Sequence, residues 1–417
     1  MHLLALSLAL AASTTAQKID FASIASSHPY TVPFFATGVT TQHISYNPTK
    51  AASSVKSYFT AHPWSQWPSS TGLRKRSTCD PQPTGAGPVP TPDTAEAFVA
   101  YAPFVKIASS AAIPFGYQKT FTALNALNFA YSYLGFTYVS SYDPNICSTK
   151  CNAMNGCASF NIYYERDPTV EPGAACPNPA STTTIKCAFW GGPVSATNAL
   201  NDGQWREDFH VVIAGSNGYV RQNGLTCGGQ SPKGYSPLAS LGNATIISPL
   251  DCNDVDSYMG YQAFSDGPFD ANLCATACTA AGAYNAAHPA SSGKPQLCKF
   301  FTAYILNVNG AGVSQICALY SEYWNSSYST NFGQWRGEDR YTIDYSFSAY
   351  SLTDSGATCP GQAPKAAAAA AAAAGPAAGL YSSFSSYYGS YPSMPAAGWA
   401  AGSWSSSCTS TTKPTGI

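Results

Sequence analysis

Charge is what this chain has least of. Only 10% of its 417 residues are Asp, Glu, Lys or Arg, and the formal net charge is −1. A typical soluble domain has about 25% charged residues. A nearly neutral chain offers no electrostatic reason to expect nucleic acid as a partner or attraction to an anionic membrane. No run of about eighteen consecutive apolar residues is present either, so we expect no membrane insertion.

Residues for metal or nucleophilic chemistry are also scarce. The six histidines do not cluster as metal ligands do, and no Gly-rich phosphate loop is present. Beyond residue 76 only His210 and His288 remain, and neither lies in a recognisable Ser-His-Asp motif. We therefore expect no metal, no cofactor and no enzymatic activity.

Cysteine, by contrast, is abundant, with fourteen in the chain. The chain begins MHLLALSLALAASTTA, an apolar run ending in small residues that is typical of a signal peptide, here residues 1–16. Cysteines in a secreted chain indicate disulfides, and we expect an extracellular protein. Tyr, Ser, Ala and Gly replace the missing charge. Such a surface suits uncharged polar partners such as glycans, but it also suits a secreted glycoprotein with no partner.

One dense basic run, LRKRST at 73–78, marks a change in composition. No cysteine precedes it, and Cys79 follows at once. Lys75 and Arg76 form a dibasic pair of the kind that kexin-type proteases cut, which predicts a pro-segment at 17–76. The alternative is a solvated basic loop. The following residues, 77–115, read as a Pro- and Gly-rich arm and a short helix capped by Asp93 or Thr94.

A long internal repeat follows the arm. The phrase GQWRED begins at Gly203 and GQWRGED begins at Gly333, and each follows a C-x-x-x-C pair, an aromatic strand pattern and a short CAFW or CALY run. The same order of features in both places predicts two copies of one module. The predicted organisation is a signal peptide (1–16), a pro-segment (17–76), an arm with a short helix (77–115), module 1 (116–228), a linker (229–239), module 2 (240–360) and an Ala/Ser/Tyr-rich disordered tail (361–417).

Each module has a readable local structure. C-x-x-x-C places two cysteines one helical turn apart on the same face. Asp143 and Asp270 stand four residues before those cysteines, where a helix N-cap lies. The segments SFNIYY and FFTAYILNV alternate as half-buried strands do. The fold class predicted is α+β, with two tandem small disulfide-stapled modules, each an antiparallel sheet with one helix packed across it.

These cysteine spacings resemble those of the PAN/Apple superfamily. The resemblance implies a helix across a five-stranded sheet, modules that bind proteins or carbohydrates, and no catalysis by the module itself. The whole layout also resembles a family of secreted ascomycete proteins of unsettled biochemical function. The disulfides that the resemblance implies are Cys147–Cys187, Cys151–Cys157, Cys274–Cys317, Cys278–Cys298, a terminal Cys252–Cys359 bridge and, in the first copy, Cys79–Cys227. It leaves Cys176 and Cys408 without assigned partners.

The repeated phrase holds the candidate binding residues. An aromatic side chain, an arginine and acids together suit the face and hydroxyls of a sugar, and paired carboxylates suit glycosidic acid–base chemistry. Adjacent carboxylates on a strand point to opposite faces, which argues against catalysis. The alternative is that each tryptophan packs beneath its sheet while the arginine pairs with an acid. The candidates are Trp205, Arg206, Glu207, Asp208, Trp335, Arg336, Glu338 and Asp339.

Three functional hypotheses follow. The first is a non-enzymatic, cell-wall-associated binding protein whose partner is a polysaccharide or glycoprotein, and solvent-facing aromatic side chains would favour it. The second is a structural or effector-like protein that contacts other proteins, and two buried tryptophans would favour it. The third is a glycan hydrolase, which would need a concave site joining a tryptophan to several carboxylates. Asn243 and Asn325 lie in N-glycosylation sequences, which fits all three.

Overall fold

The structure is a computed structural model that describes Phe21, Ile24 and residues 38–61, 79–222, 231–289 and 295–359, with the side chains of 58–61 excepted. The chain divides into residues 1–363 and 364–417, and every described residue belongs to the first of these units. The predicted signal peptide, the Lys75-Arg76 pair and the tail lie outside the described residues. Among the described helices, none has both the length and the apolar character needed to cross a membrane.

The first half of the fold is built on a seven-stranded antiparallel sheet, here called sheet A. Its elements and their neighbours, in chain order, are β1 (Thr41–His43), α1 (Pro48–Ala61), α2 (Ala95–Val99), α3 (Ala102–Ser110), β2 (Tyr117–Leu124), β3 (Leu127–Asn128), β4 (Tyr133–Tyr138), α4 (Pro144–Ala153), β5 (Ser159–Pro168), β6 (Ser181–Trp190), a 3₁₀ turn (Ala196–Asn198), β7 (Ala199–Asn201), β8 (Gly203–Arg206) and β9 (Phe209–Arg221). The strand order is β1-β4-β6-β5-β9-β2, and β8 also pairs with β9.

The second half is built on a six-stranded antiparallel sheet, here called sheet B. Its elements are β10 (Ala239–Gly242), β11 (Thr245–Ile246), β12 (Tyr258–Phe264), α5 (Ala271–Ala287), β13 (Phe300–Val308), β14 (Ala311–Tyr320), a 3₁₀ turn (Ser326–Tyr328), β15 (Ser329–Asn331), β16 (Gly333–Arg336) and β17 (Asp339–Tyr350). The order β10-β17-β13-β14-β12, with β16 on β17, matches that of sheet A without β1. The repeat seen in the sequence is therefore visible in the strand order.

One long helix lies against each sheet and is bonded to it by two disulfides. On α4, Cys147 bonds to Cys187 of β6 and Cys151 bonds to Cys157. On α5 the equivalent bonds are Cys274–Cys317 and Cys278–Cys298. Cys252–Cys359 closes the second half. The four helix disulfides lie in the two helix–sheet cores, and of their eight cysteines only Cys298 is half-buried rather than buried. The Cys252–Cys359 bond lies outside these cores, with Cys252 exposed.

The first-half terminal bridge differs from the expected one. Cys79 bonds to Cys176, so the implied Cys79–Cys227 pair is wrong. The arm after Cys79 lies along the β5–β6 hairpin, where Cys79 N donates to Glu171 O at 2.7 Å and Pro81 forms a bridge with Val170. That path brings the Cys79 sulfur to the loop that carries Cys176. Cys227 and Cys408 lie outside the described residues.

The alternating sequence pattern predicted half-buried central strands, but these strands are buried on both faces. Every residue of β5 and β6 is buried. One face of sheet A packs on α2, α3 and α4, and the other packs a second apolar cluster around Tyr163 and Trp190. Both faces of these strands can be buried because most of their side chains are aromatic, aliphatic or hydroxyl-bearing, and because Glu165, Asp167 and Lys186 are paired with one another.

The helix starts follow the sequence closely. Asp143 and Asp270 are the N-cap residues of α4 and α5, and each carboxylate accepts a hydrogen bond from the backbone N–H two residues on, at 2.9 Å. Thr94 caps α2 by accepting from Ala97 N at 3.2 Å. Asp93, the other expected cap, instead bonds Arg166 and Ser181. Capping thus fixes where each helix starts relative to its cysteines.

The two halves contact each other directly. Tyr131 is only 2% exposed and donates its hydroxyl hydrogen bond to Phe264 O at 3.0 Å. Backbone bonds also cross the junction, from Phe269 N to Gly191 O and from Gly312 N to Phe129 O, both at 3.1 Å. These contacts hold sheet A and sheet B in one fixed arrangement.

Candidate functional site

The repeated GQWR phrase forms the outer strand of a hairpin in each half. Strand β8 pairs with the start of β9 and β16 pairs with the start of β17, with Trp205 opposite His210 and Trp335 opposite Arg340. A two-residue turn closes each hairpin, Glu207-Asp208 in the first and Gly337-Glu338 in the second. Such turns need a left-handed first residue. Glu207 has φ 50° and Gly337 has φ 59°.

The strand register shows that the acids of the two repeated phrases do not correspond in the order that the sequence suggests. Glu207 corresponds to Gly337, Asp208 to Glu338, and Asp339 to Phe209. Asp339 Oδ1 accepts from Asn309 Nδ2 at 2.7 Å, which ties the hairpin to the β13–β14 turn. The two halves therefore share no equivalent carboxylate pair, and only one acid position in the turn is common to both.

Both tryptophans face solvent. Trp205 and Trp335 are each 66% exposed, which is high for the largest apolar side chain. Each lies on an outer strand that pairs with one neighbouring strand among the described residues, which leaves most of the indole in solvent. The hypothesis that they pack beneath their sheets is wrong. The repeated phrase instead presents two exposed aromatic planes on two equivalent hairpins.

Each indole has a nitrogen-rich neighbour across the hairpin. The Trp205 ring lies parallel to the His210 ring, with centroids 4.2 Å apart and planes 9° apart. At the equivalent position in the second half, Arg340 stands opposite Trp335. The stack on His210 restricts the orientation of the Trp205 indole, whose side chain is still 66% exposed. A flat apolar face with polar groups beside it suits the C–H face and hydroxyls of a sugar.

The arginines of the phrase differ between the halves. Arg206 is half-buried, with Nη1 3.9 Å from Oε2 of the buried Glu171. Arg336 is exposed, as are Glu207, Asp208 and Glu338. The first arginine thus follows the structural alternative, an arginine paired with an acid. The exposed acids occupy turns and do not converge with the tryptophans on a concave site.

A buried charge cluster beside Arg206 was not anticipated from the sequence. Lys186 Nζ lies 2.5 Å from Glu165 Oε1 and 2.7 Å from Asp167 Oδ2, and all three residues are less than a tenth exposed. With Arg206 and Tyr138 they line a cavity of about 30 Å³, room for roughly one water and no sugar. The sequence contained one indication of this cluster, because ERDP and IKC place charged residues inside strand patterns of a chain that is poor in charge.

The two carboxyl groups of the cluster differ in their pKa. Burial and the neighbouring Asp167 raise the pKa of Glu165 to about 7, although Lys186 opposes this rise. Burial would also raise the pKa of Asp167, but Lys186 and the hydrogen bonds it receives hold that pKa below its usual value. The ion pair is therefore chiefly Lys186 with Asp167. The ion pairs fasten β5 to β6, and Lys186 Nζ also lies 5.0 Å from the centroid of the Tyr138 ring on β4. The cavity beside the cluster is too small for a sugar.

One further group has metal-like spacing among the described residues. Ligand atoms of Asp251, Glu322 and Cys359 lie within 4.8 Å of one another. The Cys359 sulfur is bonded to Cys252 and is not a thiolate, so the group offers only two carboxylates. The glycosylation candidates Asn243 and Asn325 are half-buried, and their glycosylation stays a prediction.

Comparison with models of known protein families, with curated proteins and with solved structures gave no match.

Proposed function

We propose that this protein is a secreted, non-enzymatic binding protein that recognises cell-wall polysaccharide or glycoprotein through two PAN/Apple-like modules. One observation carries the proposal: Trp205 and Trp335 stand at equivalent positions of two hairpins and are equally exposed, at 66% each. Leaving two large aromatic side chains in water has a cost, because each forgoes the free energy of burial. A ligand that covers both indoles would recover this free energy.

The scaffold supports binding rather than catalysis. Tryptophan is enriched among residues that dominate binding energy, and a rigid hairpin loses little entropy when its side chain is covered. The exposed acids lie in turns, and the buried charge cluster encloses about 30 Å³. A ligand with repeated, uncharged units fits two separate indoles on a protein of low charge. Insoluble wall polysaccharides have this chemistry.

Secretion and the module class rest on two further features. Six disulfides are present among the described residues, a density that belongs to oxidising compartments. In each half one helix lies across an antiparallel sheet and is tied to it by a first-to-fourth and a second-to-third cysteine pair. This arrangement supports the assignment of each half as a PAN/Apple-like module, a class whose members bind proteins or carbohydrates.

A protein partner is the second candidate, and a different surface favours it. Four apolar side chains on α3 and in the loop that leads to β2 are exposed: Val105 (42%), Ile107 (41%), Ile113 (58%) and Phe115 (101%). Exposed apolar surface of this kind is typical of protein–protein contacts. On this reading the protein is a structural or effector-like interaction protein, and the tryptophans are secondary.

Retention on insoluble polymers separates the two candidates. The full chain would be mixed with chitin, β-glucan and cellulose, beside Trp205→Ala, Trp335→Ala and the control Phe115→Ala. We expect retention on at least one polymer, reduced by each tryptophan substitution and unchanged by Phe115→Ala. Retention on none of the three would contradict the polysaccharide form of the proposal. A loss confined to Phe115→Ala in binding to a wall glycoprotein would favour the protein-contact surface.

A further inference from the structure

The residues before the basic run are part of the folded structure. Residues 38–61 supply β1 to sheet A and α1 to the outer face of α5. They also reach the arm, where Gly38 N donates to Gln82 Oε1 at 2.8 Å. Because the segment contacts both halves and the arm, we infer that it is a structural part of the folded protein.

On sheet A the segment completes the β4 edge. Strand β1 pairs with β4 in the register Gln42 with Phe136, and flanking bonds run from Ile44 N to Leu134 O at 3.0 Å and from Tyr138 N to Thr40 O at 2.8 Å. The β4 backbone is shaped for this contact. A Cβ at Gly135 would lie 2.0 Å from Gln42 O, so only glycine admits the strand so closely.

On the second half the segment packs against helix α5. Tyr46 donates its hydroxyl hydrogen bond to Asp270 Oδ2 at 2.7 Å, while the other oxygen of Asp270 caps α5. Val55 of α1 is 3% exposed and belongs to the same apolar cluster as Cys274 and Ala281 of α5. The backbone oxygen of Tyr46 also accepts from Asn155 of the first half at 3.3 Å.

Two earlier residues are buried more deeply still. Phe21 and Ile24 are 1% and 0% exposed and lie in the apolar cluster of sheet B with Tyr304 and Trp324. Removing them would open cavities in that core, and exposing the β4 edge would leave a row of unpaired backbone groups.

No covalent bond would hold the segment after a cut in the basic run. The chain has no cysteine before Cys79, so residues 17–76 form no disulfide with the rest. The other side of the cut is fixed independently, because Cys79 is bonded to Cys176 only three residues after Arg76. A cut at Lys75-Arg76 therefore separates two pieces that are each anchored to the fold.

We propose that residues 17–76 stay bound after cleavage, so that the processed protein is a noncovalent two-chain complex. The docking surface is the β4 edge together with the outer face of α5, and its occupant is the protein's own amino-terminal segment. This proposal does not depend on what the tryptophan hairpins bind. It assigns the segment the role of clamping the two halves in one arrangement.

The test uses the full chain with Leu73–Arg76 replaced by the recognition sequence of a site-specific protease. After complete cutting, size-exclusion chromatography and native mass spectrometry would follow the two fragments. We expect them to elute together at one-to-one stoichiometry and to separate only in denaturant. Separate elution of the segment from a still-folded remainder would overturn the proposal.

Substitutions on α1 show whether the observed surface is what holds the segment. Val55→Asp should weaken the cut complex at least tenfold, and the milder Val55→Ala should weaken it measurably if the aspartate variant does not fold. Lys50→Asp is the control, because Lys50 is exposed on the same helix. Equal affinity of the Val55→Ala and wild-type segments would show that the α1–α5 contact is not the docking surface.

Discussion

The Trp205 indole lies flat on the His210 imidazole, with ring centroids 4.2 Å apart. Cross-strand aromatic pairs stabilise a hairpin by about 0.2–1 kcal/mol. We therefore expect His210→Ala to lower the free energy of unfolding by about 0.2–1 kcal/mol, measured by urea denaturation, and to weaken ligand binding by freeing the indole. If His210→Ala changed neither stability nor binding, the stack on His210 would not be what orients the Trp205 indole.

The buried cation of the charge cluster should be indispensable. Lys186→Met leaves Glu165 and Asp167 together without their positive partner, and breaking a buried ion pair from one side costs about 3–5 kcal/mol. We expect a large drop in the denaturation midpoint, partly reversed by adding Glu165→Gln. Lys150→Met, on the exposed side of α4, is the control and should change the midpoint little. A Lys186→Met protein as stable as wild type would contradict the assignment.

The same cluster predicts a pH dependence of stability. Because burial raises the pKa of Glu165 to about 7 from its ordinary 4.5, the folded chain holds a proton that the unfolded chain has already lost. Stability from this group is complete below about pH 4.5 and is lost as the pH rises through about 7, by up to about 3 kcal/mol. The difference in unfolding free energy between wild type and Glu165→Gln should fall with pH across that window. Parallel curves would contradict the prediction.

The arm disulfide makes a chemical prediction. Peptide mapping without reduction should yield Cys79 linked to Cys176, which are 97 residues apart in sequence. Removing a bond that closes so long a loop should cost about 2–5 kcal/mol, so Cys79→Ser with Cys176→Ser should lower the midpoint of thermal unfolding. A Cys79 peptide linked to Cys227 would contradict the structure.

The elements readable from the sequence are those set by local chemistry. Asp143 and Asp270 cap their helices, and the C-x-x-x-C spacing puts both cysteines of α4 and α5 toward the sheet. The partner of Cys79 was not readable, because it depends on the path of a Pro-rich arm over another hairpin. The contribution of residues 41–43 to sheet A was not predictable either, because an edge strand of three residues is too short to show an alternating pattern.

The candidate site was only half predictable. The repeat identified Trp205 and Trp335, but their exposure depends on β8 and β16 being outer strands, each paired with a single strand among the described residues. Matching letters also paired the wrong acids, because the hairpin register aligns Glu207 with Gly337. Glu165, Asp167 and Lys186 escaped notice because they meet through the pairing of β5 with β6 rather than through a sequence motif.

Under the proposed function, the two equivalent indoles bind one repetitive ligand together. A binding isotherm on the polymer that retains the wild-type chain, measured for Trp205→Ala, Trp335→Ala and the double variant, tests this. We expect either single substitution to weaken binding at least tenfold, because the linked second contact is lost, and the double substitution to abolish it. A correctly folded double variant that binds as tightly as wild type would show that the indoles are not the binding site.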